Sequence, residues 1–161
     1  MDKMQKTQQL DLPTVELRKS GIHGQGLFTL HPIKKGEKII QYKGEKISGE
    51  EGTRRSEQHD YLTYIFILND SFDIDGAVNG NEARFANHSC VPNSCIDIFG
   101  EKIWIIANKD IEKGEEITYD YALDADEILK CECGAKDCRG YINDPDDDST
   151  KKLLNGRNNN N

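Results

Sequence analysis

The chain of 161 residues contains no long hydrophobic run. No stretch approaches the roughly 20 consecutive apolar residues that a membrane-spanning helix needs, which excludes a transmembrane protein. The opening residues MDKMQKTQQLDLP include no apolar segment of the signal-peptide type, so we do not expect secretion by that route. Internal repeats are absent, which excludes a repeat array. The length suits one domain, with at most a small appendage.

Positive charge is scarce: 21 basic residues stand against 29 acidic ones, for a net charge of −8. Residues 1–60 carry 11 basic and 9 acidic side chains, whereas residues 61–161 carry 10 and 20. So acidic a surface repels a phosphate backbone and attracts a basic polypeptide. We therefore expect a basic protein partner and no direct contact with nucleic acid or membrane, although many acidic proteins have no such role. The sequence carries no signal of an oligomeric state.

The five cysteines are few and odd in number, and three of them lie in the segment Cys131–Cys138. Without a secretion signal, this pattern indicates a reducing compartment and metal-binding thiolates. The spacing C-x-C-x4-C supplies three thiolates, whereas tetrahedral zinc takes four ligands. Cys90 or Cys95 would have to supply the fourth, and free structural thiols are the alternative.

Short apolar runs separated by glycine, asparagine and lysine-glycine turns predict a mainly β domain from about Pro13 to Asn143. The continuous apolar run at 103–107 indicates a central strand. Residues 1–12 and 144–161 are polar, and we expect a flexible N-terminus and a disordered tail. Strands are predicted at 15–17, 27–30, 38–42, 61–68, 72–74, 95–98, 103–107 and 116–119, and weak helices at 49–58 and 79–85.

Glycines in the segment Gly21–Phe28 would let a ligand approach the backbone closely. No G-x-G-x-x-G pattern leads into a helix, so dinucleotide binding is not expected. A plain tight turn is the alternative interpretation of this segment.

Two further segments are rich in polar or aromatic groups. In Arg84–Ser94, Asn87 and His88 are suited to orient a polar cofactor or to satisfy buried carbonyls. In Glu115–Tyr121, strand alternation places the two tyrosines at 119 and 121 on one face. They could line a narrow channel or pack in the core.

Taken in this order, the motifs resemble the SET-domain protein-lysine methyltransferases, and the match runs from about Val15 to Ile142. The resemblance implies a mainly β fold of small curved sheets, with a knot-like C-terminal segment and a post-SET zinc loop. The SET domain would span residues 13–123 and the post-SET segment residues 124–143. The motifs that carry the resemblance are Gly21–Phe28, Ile33–Glu37, Tyr42–Glu45, Ile74–Gly76, Gly80–Asn81, Arg84–Asn93, Gly114–Tyr121 and Cys131–Ile142.

The resemblance also implies a role for each candidate site residue. Tyr121 matches the catalytic tyrosine, Tyr64 the channel tyrosine, and Tyr119 the position that tunes the number of methyl groups added. The cofactor S-adenosylmethionine would be bound by His23, Gly24, Gln25, Arg84, Asn87, His88 and Tyr121. One structural zinc ion would be bound by Cys90, Cys131, Cys133 and Cys138, which leaves Cys95 free.

The implied reaction is methyl transfer to a lysine in an extended segment of a basic protein, such as a histone. Tyr119 stands where other members carry Phe, so we expect mainly monomethylation. Neither a cysteine-rich pre-SET segment nor a reader domain is expected. The enzyme would act inside a cell, in cytoplasm or nucleus, and a bacterial or viral protein acting in a host cell is also compatible. A catalytically inactive SET-like peptide-binding module and a zinc-stabilised adaptor are the alternatives.

Overall fold

The computed structural model describes residues 13–58, 64–124 and 126–158, without the side chains of residues 157 and 158. This part of the chain is mainly β, as predicted. Neither of its α-helices is long and apolar enough to cross a membrane. The strands are β1 (Val15–Lys19), β2 (Gln25–Thr29), β3 (Lys38–Tyr42), β4 (Glu45–Ser48), β5 (Ile65–Ile67), β6 (Phe72–Asp75), β7 (Asn87–His88), β8 (Ser94–Phe99), β9 (Lys102–Ala107) and β10 (Glu116–Tyr119). The helices are α1 (Gly49–Ser56), α2 (Asp148–Asn158) and a short 3₁₀ helix (Glu82–Phe85).

The strands form three small sheets. One sheet has the order β1-β2-β10-β7, the second β3-β9-β8 and the third β4-β6-β5. All pairs are antiparallel except β7 and β10, which run parallel. This arrangement of small sheets confirms the predicted fold class.

Strand β9 is the centre of the second sheet, as its continuous apolar run predicts. Ile103 and Ile105 are fully buried, whereas Trp104 between them is half-buried on the opposite face. On that face the Lys38 ammonium group lies 4.9 Å from the centre of the Trp104 ring. Residues 103–107 of this strand are apolar on both faces, because one face packs in the core and the other makes a cation–π contact.

The short parallel pair β7–β10 brings two of the polar motifs side by side. Thr118 is paired with Asn87, and Tyr119 with His88. The Asn93 side chain extends this contact, because its Oδ1 accepts a hydrogen bond from the Thr118 backbone N–H at 3.0 Å. The contact lies between the two segments whose knot-like arrangement the resemblance implies.

Most predicted elements are present, with differences where the chain is polar. Helix α1 lies inside the predicted 49–58, and the Ser48 hydroxyl caps it by accepting from the Glu51 N–H. The predicted helix at 79–85 is only the 3₁₀ helix, and strand β4 was not predicted. The predicted strand at 61–68 contains β5, but residues 61–63 lie outside the described residues.

The prediction of a disordered tail over 144–161 needs correction, because residues 148–158 form α2. The Asp147 carboxylate caps this helix by accepting from the Thr150 N–H at 2.7 Å. Asp148 adds negative charge to the first turn, which the helix dipole favours, and Thr150 is fully buried. The predicted flexible segment 1–12 lies outside the described residues.

Candidate functional site

The glycine-rich loop before β2 is fastened to β7 by a single buried side chain. The Asn87 Nδ2 donates hydrogen bonds to the carbonyls of His23 at 3.1 Å and Gln25 at 3.0 Å. It also donates to Glu116 Oε1 at 2.8 Å, and three acceptors around one nitrogen fix the orientation of the amide. Between the two carbonyls, Gly24 has a φ of +47°, which glycine adopts without strain. The loop therefore holds a defined backbone shape.

The Glu116 carboxylate ties the same loop to β10. Its Oε1 accepts a hydrogen bond from the Ser20 hydroxyl at 2.7 Å, in addition to the one from Asn87. A Cβ atom on Gly26 would collide with this oxygen. Glycine at this position thus permits the close approach that joins the loop, β7 and β10 into one hydrogen-bonded unit.

His88 connects β7 to the residues that follow β10. Its buried ring accepts a hydrogen bond at Nδ1 from the Tyr121 backbone N–H at 3.1 Å. A neutral imidazole that accepts at Nδ1 carries its proton on Nε2, which lies 3.4 Å from Cys90 Sγ. Burial lowers the pKa of His88 and so favours this neutral form. The ring organises its neighbours through both nitrogens, and its direct contact with a cofactor stays a prediction.

Tyr121 lies where these segments meet. Its hydroxyl donates to the Ala86 carbonyl at 2.8 Å, and its ring centre lies 5.4 Å from that of His88 and 4.9 Å from that of Tyr119. Burial, and secondarily the nearby Tyr64, raise the pKa of Tyr121. The side chain is therefore a neutral phenol that can donate and accept hydrogen bonds.

Tyr121 is one end of a row of aromatic rings, which we call the aromatic row. Tyr119 is buried 5.8 Å from Phe66, and Phe66 lies 4.8 Å from Tyr42, measured between ring centres. Burial raises the pKa of Tyr119 well above its usual value, so this phenol is also neutral. Tyr42 and Phe66 were not predicted as site residues. In the sequence, each is marked only by its inward-facing position in a strand. Packing in the core explains that position equally well.

Tyr64 and Arg84 form a more exposed group beside the row. Tyr64 is 39% exposed, and the Tyr42 hydroxyl donates to its backbone carbonyl at 2.8 Å. The Arg84 guanidinium lies 5.7 Å from the Tyr64 ring centre and 4.8 Å from that of Phe85. Arg84 Nη1 donates to the Gly76 carbonyl, but its buried Nε has no hydrogen-bond partner among the described residues. A buried unpaired donor is costly and suits an acceptor on a ligand.

Four cysteines meet at one point next to His88. The Sγ atoms of Cys90, Cys131, Cys133 and Cys138 all lie within 4.8 Å of one another. Cys90 Sγ is 3.6 Å from that of Cys131 and 3.8 Å from that of Cys138. A tetrahedral ion with metal–sulfur bonds of about 2.3 Å requires sulfur atoms about 3.8 Å apart. The set therefore suits a tetrahedral metal ion, whereas Cys95 is exposed on β8 and lies outside it.

Backbone N–H groups point at the sulfur atoms of this cluster. The Cys133 N–H donates to Cys131 Sγ at 3.4 Å, and the Gly140 N–H donates to Cys138 Sγ at 3.3 Å. Burial opposes ionisation, but backbone hydrogen bonds, first that of Cys90, lower the pKa of Cys133 to about 6. Burial raises the pKa values of the Cys90 and Cys131 thiols. Thiolates are the form that binds metal, so these thiols would give up their protons when a cation binds.

The family model described as "SET domain" matches residues 24–122, which run from the last residue of the glycine-rich loop through the aromatic row and β10. The chain therefore belongs to the SET domain family.

The chain is also similar to curated proteins named for one activity. Over 133 residues it is 42% identical to histone-lysine N-methyltransferase trithorax of Drosophila virilis, covering 78% of this chain and 4% of that protein. Over 139 residues it is 41% identical to human histone-lysine N-methyltransferase 2B, covering 80% and 5%. A Candida albicans protein named histone-lysine N-methyltransferase, H3 lysine-4 specific, is 40% identical over 144 residues, covering 80% and 14%. The chain thus spans a small fraction of the length of these relatives.

Proposed function

We propose that the chain is a protein-lysine methyltransferase domain that uses S-adenosylmethionine. One observation carries this proposal: the glycine-rich loop, which Asn87 holds, lies beside the aromatic row that ends at Tyr121. One part provides hydrogen-bonding groups for a polar cofactor, and the other provides an apolar passage for an alkyl amine. The names of the relatives support the same reaction.

The residues of the loop and of the 3₁₀ helix fit this cofactor. Backbone groups of His23, Gly24 and Gln25 would hold its polar end, together with the Asn87 side chain. The buried, unpaired Nε of Arg84 would donate to an acceptor on it. S-adenosylmethionine supplies an electrophilic methyl group, and the protein has to position the acceptor and remove its proton.

The aromatic row prepares the lysine for this reaction. Methyl transfer needs a neutral amine, whereas a free lysine has a pKa of about 10.4. Aromatic rings attract the ammonium group by cation–π interaction, and an apolar passage then disfavours its charge by desolvation. Tyr64 would meet the lysine first, because it is the exposed member of the group, and Tyr121 would orient the amine through its neutral hydroxyl. Holding the amine in line with the methyl group lowers the entropic part of the barrier.

We propose one structural zinc ion on Cys90, Cys131, Cys133 and Cys138. Four thiolates form a closed tetrahedral set, which is typical of a structural and not a catalytic zinc. The segment that supplies three of these ligands has few apolar residues, so the metal would provide its folding energy.

The substrate would be a lysine in an extended segment of a basic protein, such as a histone, inside a reducing compartment. Strand β5 is at the edge of its sheet and directly follows Tyr64, so a peptide could add to this edge as a further strand. The net charge of −8 favours a basic peptide there.

The test is incubation of the zinc-loaded protein with S-adenosylmethionine and a mixture of basic proteins that includes histones. We expect methyl-sized mass increments on lysine, detected by peptide mass spectrometry and dependent on the cofactor. Absence of increments together with absence of stabilisation by S-adenosylmethionine in a thermal shift assay would contradict the proposal. That outcome would favour a peptide-binding module without catalysis.

We propose that Tyr119 limits the product to mainly monomethyllysine, because its buried hydroxyl occupies space beside Tyr121. Tyr119→Phe is expected to raise the fraction of di- and trimethyllysine several-fold while the total turnover stays similar. The measurement is the product distribution on one substrate peptide over time. Tyr141→Phe, which removes a phenol outside the aromatic row, is the control. An unchanged distribution in Tyr119→Phe would contradict this role.

A further inference from the structure

An ion pair joins Asp120, which lies between Tyr119 and Tyr121 just after β10, to the cysteine-rich segment, residues 127–143. Arg139 Nη1 lies 2.6 Å from Asp120 Oδ2, and Arg139 Nη2 lies 2.8 Å from Asp120 Oδ1. The side chains are 17% and 33% exposed, so water screens this pair less than an exposed one. Two parallel hydrogen bonds between a guanidinium and a carboxylate fix both distance and orientation.

The Arg139 guanidinium also fixes the end of the cysteine-rich segment. Its Nη2 donates to the carbonyls of Ile142 at 2.9 Å and Asn143 at 3.0 Å. Asn143 is fully buried, and its side chain contacts the start of the same segment. There it accepts a hydrogen bond from the Leu129 N–H and donates one to the Glu127 carbonyl. One guanidinium therefore contacts Asp120, just after β10, and both carbonyls that close the segment.

On the other side of the pair, Asp120 shapes the turn that carries Tyr121. Its Oδ1 accepts from the Ala122 N–H at 3.0 Å and lies 3.5 Å from His88 Nδ1. Ala122 has a φ of +44°, a left-handed conformation that costs a non-glycine residue energy and needs support from its surroundings. Because the Tyr121 N–H donates to His88 Nδ1, a shift of this turn would displace the tyrosine.

We infer that Asp120 and Arg139 form a positioning pair, which holds Tyr121 in register only when the cysteine-rich segment is ordered. The inference rests on the proposed methyl transfer for its kinetic consequence. Neither side chain has to touch the substrate or the cofactor. The pair instead makes the alignment of Tyr121 depend on a segment that lies outside the strands.

The kinetic test uses zinc-loaded Arg139→Gln, with Arg54→Gln as the matched control. Arg54 likewise donates two hydrogen bonds to a carboxylate, that of Glu51, but Arg54 is exposed on α1. We expect kcat to fall about 10- to 100-fold in Arg139→Gln, because small displacements of reacting groups have effects of this size. KM for the peptide and zinc stoichiometry should change little. Arg139→Lys keeps the charge but cannot bridge all four acceptor atoms, so it should recover only part of kcat.

A second readout does not depend on activity. Hydrogen exchange of the peptide that contains residues 119–123 should become faster in zinc-loaded Arg139→Gln and in Asp120→Asn, but not in Arg54→Gln. Unchanged exchange and unchanged kcat would overturn the inference, and so would loss of zinc from both variants, which would show a merely structural role. If the wild-type protein transfers no methyl group, the proposed function fails, and the exchange rates alone decide whether the pair positions Tyr121.

Discussion

Tyr121→Phe is expected to lower the rate of methyl transfer by about 10²- to 10³-fold, the usual effect of removing one hydrogen-bonding group at a reacting centre. The substitution removes a single oxygen atom at the end of the aromatic row. Burial raises the pKa of this phenol, so the wild-type hydroxyl is present in its neutral form and can orient the amine. The measurement is kcat on a peptide substrate, with the binding of S-adenosylmethionine determined separately.

The fold should survive this substitution. Among the residues that the structure describes, the hydroxyl makes one hydrogen bond, to the Ala86 carbonyl, and its loss costs about 1 kcal/mol. That is a modest share of the stability of an ordinary domain, which is about 5–15 kcal/mol. Tyr141→Phe serves as the control for loss of a phenol elsewhere. A variant with normal cofactor binding and the wild-type rate would remove Tyr121 from the mechanism.

Loss of the metal is expected to lower the rate of methyl transfer as strongly as Tyr121→Phe does, and it should also disrupt the structure. Cys90→Ser should lower the zinc content from about one ion per chain to near zero, because three thiolates do not complete the tetrahedral set. Structural zinc contributes about 10–16 kcal/mol of apparent binding free energy in small zinc-dependent peptides. The segment Cys131–Cys138 should therefore lose its order and become open to proteases.

Cys95→Ser provides a matched control, because it makes the same chemical change at an exposed thiol on β8. Zinc content by native mass spectrometry and limited proteolysis should both stay at wild-type values in this variant. Zinc loss from Cys95→Ser, with retention in Cys90→Ser, would reverse the ligand assignment. Treatment of the wild-type protein with a chelator should reproduce the behaviour of Cys90→Ser.

The sequence predicts elements well where side chains alone decide the structure. The run Ile103–Ala107 is apolar at every position, and it is the central strand. Strands β4 and β7 were not predicted, because Glu45–Ser48 and Asn87–His88 are largely polar and owe their extended form to pairing with β6 and β10. Tertiary contacts override local propensity in such places. Helix α2 was also not predicted, because its sequence is polar and its start depends on one carboxylate cap at Asp147.

The candidate site was predictable in its motifs and less so in its internal contacts. The resemblance named Tyr64, Tyr119 and Tyr121. In the structure the ring centres of Tyr119 and Tyr121 lie 4.9 Å apart, and Tyr64 contacts Tyr42 at the other end of the aromatic row. Local sequence left Cys90 and Cys95 equivalent as metal ligands. The resemblance selected Cys90, and the structure groups Cys90, not Cys95, with the other three cysteines. Phe66 and the Arg139–Asp120 pair were not visible beforehand, because their partners come from distant segments that no local pattern connects.

The pairing of β2 with β10 has a consequence for how the protein is made. Phe28 lies opposite Glu116, so the pairing of β2 with β10 has to wait until most of the domain has left the ribosome. Closing so long a loop is entropically costly, and folds rich in distant contacts form slowly. The loop, the aromatic row and the cysteine cluster all depend on β10 or on residues after it. A nascent chain would therefore acquire its site in one late step, after the hairpin of β8 and β9 has already formed.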